Sequence, residues 1–306
     1  MTAELDPVLQ KVLEAVPFQL TTDGGPEIAR KRFRDLPRRE LHPEVAAEDR
    51  AVDSPAGRIP VRVYRPPTDA PVLPVVIYIH GGGWSVGDLD TYDAIARVHA
   101  ADTGAVVVSV DYRLAPEHPY PAAVEDTWAV TQWVIEHAAE VGGDPQRVAL
   151  AGDSAGGNLA AVMAQLARDA GAVLRMQLLW YPSTTFDMSL PSFTENAAAP
   201  ILTADACRDF TRWYLGDSKV SPAPATLIPA RGDLTGVAPA YIAVAGHDPL
   251  RDDGARYAEL LSAAGVPVQL DHAESLVHGY LAYTEVVPAA TEATKRGLAA
   301  LRDALA

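Results

Sequence analysis

Apolar residues recur along this chain with two periods, and the alternation between the two predicts its architecture. Leu5, Val8, Leu9, Val12, Leu13 and Val16 return every three or four positions, the spacing of one helix face. Asp6-Pro7 supplies a side-chain cap and a preset first turn for that helix. A second helix is expected over residues 26–36. Residues 45–52 and 58–64 alternate apolar with polar across Ser54-Pro55-Ala56-Gly57, the pattern of a hairpin. Short, mostly apolar runs follow at 74–79, 105–110, 148–151 and 175–181, as in strands buried on both faces. Helices are expected between them, near 92–101, over 122–140, and from 159 onward. From 183 to about 227 the alternation lapses, apart from helical character at 204–215 and a hinge-like Ser221-Pro222-Ala223-Pro224. It resumes with strands at 241–245 and 266–270 and helices at 254–264 and 289–305. Strands alternating with helices imply an α/β fold with a mostly parallel, doubly wound sheet. The two leading helices and the lapse divide the chain into an N-terminal helical cap segment (1–45), a first core part (46–182), an inserted cap segment (183–217) and a second core part (218–306).

The run 148–151 ends in Gly152-Asp153-Ser154-Ala155-Gly156-Gly157, and helix-forming residues follow. A strand that turns sharply into a helix strains its turn residue by roughly 1–3 kcal/mol. Side chains two residues to either side would collide, which calls for Gly152 and Gly156. The product is a serine hydroxyl held above the sheet at the positive end of a helix dipole.

Such a hydroxyl is a weak nucleophile and needs a base, itself oriented by an acid. In a strand–elbow–helix arrangement these come later in the chain, acid before base. Asp248 falls at the carboxyl end of the 241–245 strand with Pro249 stiffening its turn, and is the acid candidate. Asp252 and Asp253 are expected to cap the next helix. His272 and His278 compete as base. His272 sits against the expected end of the last strand, whereas His278 lies in the loop before Gly279, and is favoured. His247 adjoins the acid too closely in sequence and reads as a loop residue. Acyl transfer also needs donors for the developing oxyanion, each worth roughly 10²–10³ in rate. Gly81-Gly82-Gly83 after the 74–79 strand, together with the N–H of Ala155, can supply them. Neither phosphate-loop pattern is present at these glycines. His80 reads as a structural anchor of the loop.

Composition narrows the field. The net charge of −15 argues against nucleic acid and anionic membrane surfaces. The single cysteine, Cys207, excludes an internal disulfide and a cysteine zinc site. No H-E-x-x-H motif occurs, so no metal is expected. The N-terminus lacks the pattern of a secretory signal, and no apolar run reaches 18 residues, so a cytoplasmic protein is expected.

His80-Gly-Gly-Gly-Trp84, Asp111-Tyr-Arg-Leu-Ala-Pro-Glu-His118, Gly152-Asp-Ser-Ala-Gly-Gly157, Asp248-Pro-Leu-Arg-Asp252 and His278-Gly-Tyr280 together resemble the hormone-sensitive-lipase-like carboxylesterases. The motifs run in family order across residues 80–280, with Tyr280 where the family usually has Phe. The resemblance implies an eight-stranded α/β-hydrolase fold with a helical cap. It implies Ser154, Asp248 and His278 as a triad, and Gly82, Gly83 and Ala155 as oxyanion donors. It further implies cofactor-free hydrolysis of small, short-acyl esters through an acyl-enzyme. The expected partner is a small-molecule ester, with a homodimer as the one assembly allowed for. Two other readings share the scaffold. A silent binding protein, as among plant gibberellin receptors, tends to lose the histidine, which is retained here; an amidase or deacetylase would use the same machinery.

Overall fold

Val75, Ile77 and Ile79 point to one face of a central strand while Val76 and Tyr78 point to the other, and both faces are buried. This strand, β3 (Leu73–Ile79), sits in an eight-stranded sheet of a computed structural model that describes residues 3–217 and 221–306. The remaining strands are β1 (Ala46–Ser54), β2 (Gly57–Arg65), β4 (Val106–Val110), β5 (Gly143–Asp153), β6 (Gln177–Trp180), β7 (Ala240–His247) and β8 (Val268–Val277). Their spatial order is β1-β2-β4-β3-β5-β6-β7-β8. The β1–β2 hairpin and the β2–β4 pair are antiparallel, and every pair from β4 to β8 is parallel. The carboxyl ends of the parallel strands therefore share one edge, where ligands of such sheets gather.

Helices cover both faces. On one face, α4 (Ala122–His137), α5 (Ala155–Asp169) and α8 (Arg251–Ala263) bury Val130, Leu159 and Leu261 against Val75, Ile77 and Ile79. On the other, α1 (Pro7–Ala15), α3 (Asp93–Thr103) and α9 (Pro288–Ala304) bury Leu9, Val98 and Leu298 against Val76 and Tyr78. As its sequence predicts, α1 is capped by Asp6, whose Oδ1 accepts from the N–H groups of Val8 and Leu9 at 2.9 Å each.

A third apolar cluster lies over the carboxyl edge of the sheet. It joins Leu20 and Ala29 to Phe193, Leu202 and Phe210, with Val86 and Leu250 beneath. Ala29 belongs to α2 (Pro26–Arg34), Phe193 to the short α6 (Pro191–Glu195) and Phe210 to α7 (Ala204–Leu215). Arg30 of α2 ties this layer down, donating to the carbonyls of Ser85 and Ala115 and pairing with Glu117.

Four local expectations change. The last strand runs on to Val277, so His272 sits within it, opposite Val244. His247 ends β7 and is not a loop residue. Asp252 and Asp253 lie in the first turn of α8 and do not cap it, because the chain enters the helix through Leu250 and their carboxylates serve other partners. Asp253 is buried and accepts from the backbone and hydroxyl of both Thr184 and Thr185 at 2.6–3.0 Å. Asp252 accepts from the N–H of Ser192. Finally, α6 has no counterpart in the sequence reading, since five residues are too few to display a helical period. The start of the second core part at 218 lies outside the described residues.

Candidate active site

β5 delivers Ser154 to the carboxyl edge, and α5 begins at the next residue. Ser154 has φ 54° and ψ −118°, the strained turn that the flanking glycines permit. The space there is closed: a Cβ on Gly156 would stand 2.0 Å from the Ile79 carbonyl oxygen, and one on Gly152 would stand 2.3 Å from that of Gly156.

The structure brings three distant side chains together at this point. His278, in the loop after β8, has Nε2 2.9 Å from Ser154 Oγ and Nδ1 2.7 Å from Asp248 Oδ2. A carboxylate can only accept, so Nδ1 carries the proton and Nε2 accepts from the serine hydroxyl. All three residues are buried. Asp248 is held in turn: its Oδ1 accepts from Leu250 N–H at 2.8 Å, and its carbonyl accepts from Asn196 Nδ2 at 3.1 Å. His272 is exposed in the strand and takes no part.

The loop after β3 brings Gly83 beside Ser154 and Ala155, where all three line one apolar pocket with Trp84, Phe186 and Phe210. Gly82 and Gly83 have φ of 103° and 57°, a conformation that side chains disfavour. Among the described residues, no acceptor takes the N–H of Gly82, Gly83 or Ala155. His80 is fully buried, with Nδ1 on the Gly81 carbonyl at 2.7 Å and its ring stacked on Tyr112 at 4.3 Å. Burial lowers its pKa to about 4, so the ring is neutral near pH 7.

Three contributors have little signal in the sequence. Asp153, the variable position of the elbow motif, accepts from Gly81 N–H at 2.9 Å and Tyr78 hydroxyl at 2.7 Å. A carboxylate closing an apolar strand is the one hint to it. Tyr181 packs its ring 4.8 Å from that of His278. Asn196 reaches the acid's turn from the segment after β6, a pairing 52 residues apart that no local pattern announces. Tyr280 is fully buried in an edge-on contact with Tyr181 at 5.1 Å.

Among the described residues, no group of three His, Cys, Asp or Glu side chains is arranged to hold a metal ion. Nor, among them, is any helix long and apolar enough to cross a membrane.

Comparison with known proteins gives the family of the chain. Residues 76–282 match the family described as the alpha/beta hydrolase fold. Esterase LipI of Mycobacterium tuberculosis is 60% identical over 302 residues, covering 97% of this chain and 94% of its own length. Carboxylesterase NlhH of the same organism is 58% identical over 308 residues, covering 99% of this chain and 97% of its own. Among solved structures, DphMB1 superposes with a TM-score of 0.96 at 68% identity, over 98% of this chain and 99% of that one. A thermostable esterase from Pseudomonas putida superposes with a TM-score of 0.94 at 33% identity, over 100% and 99%. With its eight-stranded sheet, its elbow serine and relatives of this closeness, the chain belongs to the α/β-hydrolase family, in the hormone-sensitive-lipase-like branch, and is a carboxylic ester hydrolase.

Proposed function

We propose that the enzyme hydrolyses small, short-acyl esters through an acyl-enzyme on Ser154, with His278 as general base and acid and Asp248 as its orienting partner. The observation that carries this reading is the unbroken relay from Ser154 Oγ through His278 to Asp248, with contacts of 2.9 and 2.7 Å. In the first half-reaction Ser154 Oγ attacks the ester carbonyl as its proton passes to His278 Nε2. The developing oxyanion is received by the free N–H groups of Gly82, Gly83 and Ala155. His278 then protonates the departing alkoxide. In the second half-reaction water takes the place of the serine and frees the acid. Asp248 keeps the imidazole in the required tautomer and offsets its charge.

We read residues 1–45 and 183–217 as a cap over this centre. The apolar cluster linking Leu20 and Ala29 to Phe193, Leu202 and Phe210 supports that reading. So does Phe210, which packs so close over Gly83 that a Cβ there would meet its ring at 2.5 Å. The narrow apolar pocket at Ser154, lined by Leu20, Trp84, Phe186 and Phe210, supports the short-acyl preference.

The test is Ser154→Ala. Turnover of p-nitrophenyl acetate should drop on the order of 10⁴–10⁶, with circular dichroism and melting temperature unchanged. A folded variant with near wild-type turnover would sink the nucleophile assignment.

A further inference from the structure

A second cavity lies beside the pocket of Ser154 and is walled off from it. It has a volume of about 380 Å³, in the range of small-molecule sites, and its walls are mostly apolar, including Phe18, Phe33, Ile95, Val98 and Leu281. The bridge of Gln19 to Ile201 stands between the two spaces, with Leu20 N–H donating to the Ile201 carbonyl at 2.7 Å. Phe18 and Ile201 line the cavity, whereas Leu20 and Leu202 line the pocket. None of Ser154, Asp248 and His278 lines the cavity, so its occupant is a molecule other than the reacting ester.

Charge tells what kind of molecule. Among the described residues, the charged groups in the walls are Arg38, Arg39 and Asp153. Asp153 is buried, whereas the arginines are exposed, as are Val16 and Val286 in the same wall, so the arginines mark the mouth. Their hydrogen bonds go to backbone carbonyls alone. Arg38 donates to those of Phe33, Arg34, Leu36 and Thr91 at 2.6–3.0 Å, and Arg39 to that of Glu285 at 3.0 Å. Both guanidinium groups are thus tethered without a carboxylate partner. Partial burial lowers the pKa of Arg38 from its ordinary value, as expected of a cation short of counter-charge. The surrounding stretch adds to the field: residues 30–39 carry six basic side chains and one acidic, in a chain of net charge −15.

We propose that this cavity is a binding site, separate from the ester pocket, for a free medium-chain fatty acid. Its carboxylate sits at Arg38 and Arg39 and its chain lies among Phe18, Phe33, Ile95 and Leu281. The chain enters tail first, because a carboxylate at the inner end would be buried beside Asp153, a like charge. Tyr181 and Gly279 also line the cavity, one packed against the His278 ring at 4.8 Å and the other next to it in the chain. A bound acid therefore packs against the surroundings of His278 without covering Ser154.

The experiment titrates the whole protein with sodium octanoate, sodium butanoate and 1-octanol by calorimetry at pH 8, where the acids and both guanidinium groups are charged. Octanoate should bind at least about tenfold more tightly than butanoate, since the longer chain buries more methylenes. Arg38→Gln and Arg39→Gln should each weaken octanoate about fivefold or more and leave 1-octanol within about twofold. Ala94→Phe and Ile95→Trp fill the cavity from α3, and each should weaken octanoate and 1-octanol alike, about fivefold or more. At ten times its Kd, octanoate should leave the KM for p-nitrophenyl acetate within about twofold. A KM raised about tenfold would place the acid in the pocket at Ser154 and overturn the proposal. Absence of octanoate binding overturns it too, as does octanoate affinity unmoved by both arginine variants or by both filling variants. These readouts use ester hydrolysis only as a reporter and stand whether or not Ser154→Ala confirms the nucleophile.

Discussion

The N–H of Gly81 donates to Asp153 Oδ1 at 2.9 Å, so the carboxylate next to the nucleophile fastens the loop that carries the candidate oxyanion donors. Elbow and loop thus come from adjacent parallel strands, β5 and β3, and are locked at their carboxyl ends. The arrangement has a cost, because Asp153 is buried and its pKa is pushed up to about 6, chiefly by burial.

That shift predicts a pH dependence of stability. A carboxyl group whose folded pKa lies above its ordinary 3.8 favours the folded state at low pH and loses that advantage as pH rises through about 6. Asn at this position can still accept from Gly81 and carries no charge to bury. The wild type should therefore lose stability relative to Asp153→Asn between about pH 4 and pH 7, by about 3 kcal/mol at most. Paired thermal melts across this range measure it. A wild type that gains on the variant as pH rises would mean that the carboxylate's hydrogen bonds outweigh its burial.

The two histidines of the last strand region should behave differently. His278→Ala should lower kcat on the order of 10⁴ or more, as triad residues do elsewhere. His272→Ala, on the exposed side of β8, should stay near wild type. Asp248→Asn should lower kcat with little change in melting temperature, since the side chain keeps its shape. A dead His272→Ala with an active His278→Ala would reverse the assignment of the base.

Asp253 and Asp252 are neighbours that should differ in the size of their effect. Asp253→Ala leaves the N–H and hydroxyl groups of Thr184 and Thr185 without their buried acceptor. Each such loss costs about 1–3 kcal/mol, so stability should fall by several kcal/mol in denaturant titrations. Asp252→Ala, partly exposed, loses the pair with Arg251 and a single N–H donor, that of Ser192, and should cost less, about 1–3 kcal/mol. Equal melting temperatures for the two variants would contradict the anchoring role of Asp253.

Acyl length gives the last prediction. Burying each methylene gains roughly 0.8 kcal/mol until the pocket is full, after which forcing side chains apart commonly costs roughly 1–3 kcal/mol. With the pocket at Ser154 this tight, kcat/KM for p-nitrophenyl esters should peak within the first few acyl carbons. A maximum at twelve carbons or beyond, or a jump in rate when substrate forms droplets, would favour a lipase instead.

Much of this protein is written locally in its chain. The two apolar periods announced the sheet and its helices, because burial on both faces of a parallel strand demands an unbroken apolar run. The elbow was legible because its strained turn tolerates only small flanking residues, and Gly152 and Gly156 leave a visible mark. His278 stood out from His272 by the loop and the glycine beside it, although the reading ended the strand seven residues before Val277, since polar residues on β8's exposed face hid its continuation. The rest depended on distant parts meeting. Asn196 on the turn of Asp248, Asp253 beneath Thr184 and Thr185, Tyr181 against His278, and the bridge of Gln19 to Ile201 are contacts across dozens to nearly two hundred residues. A single polar contact at such separation imposes no period and no composition on its neighbours. Only the packing of the completed fold decides which groups face one another, and with it the shape of the space around Ser154.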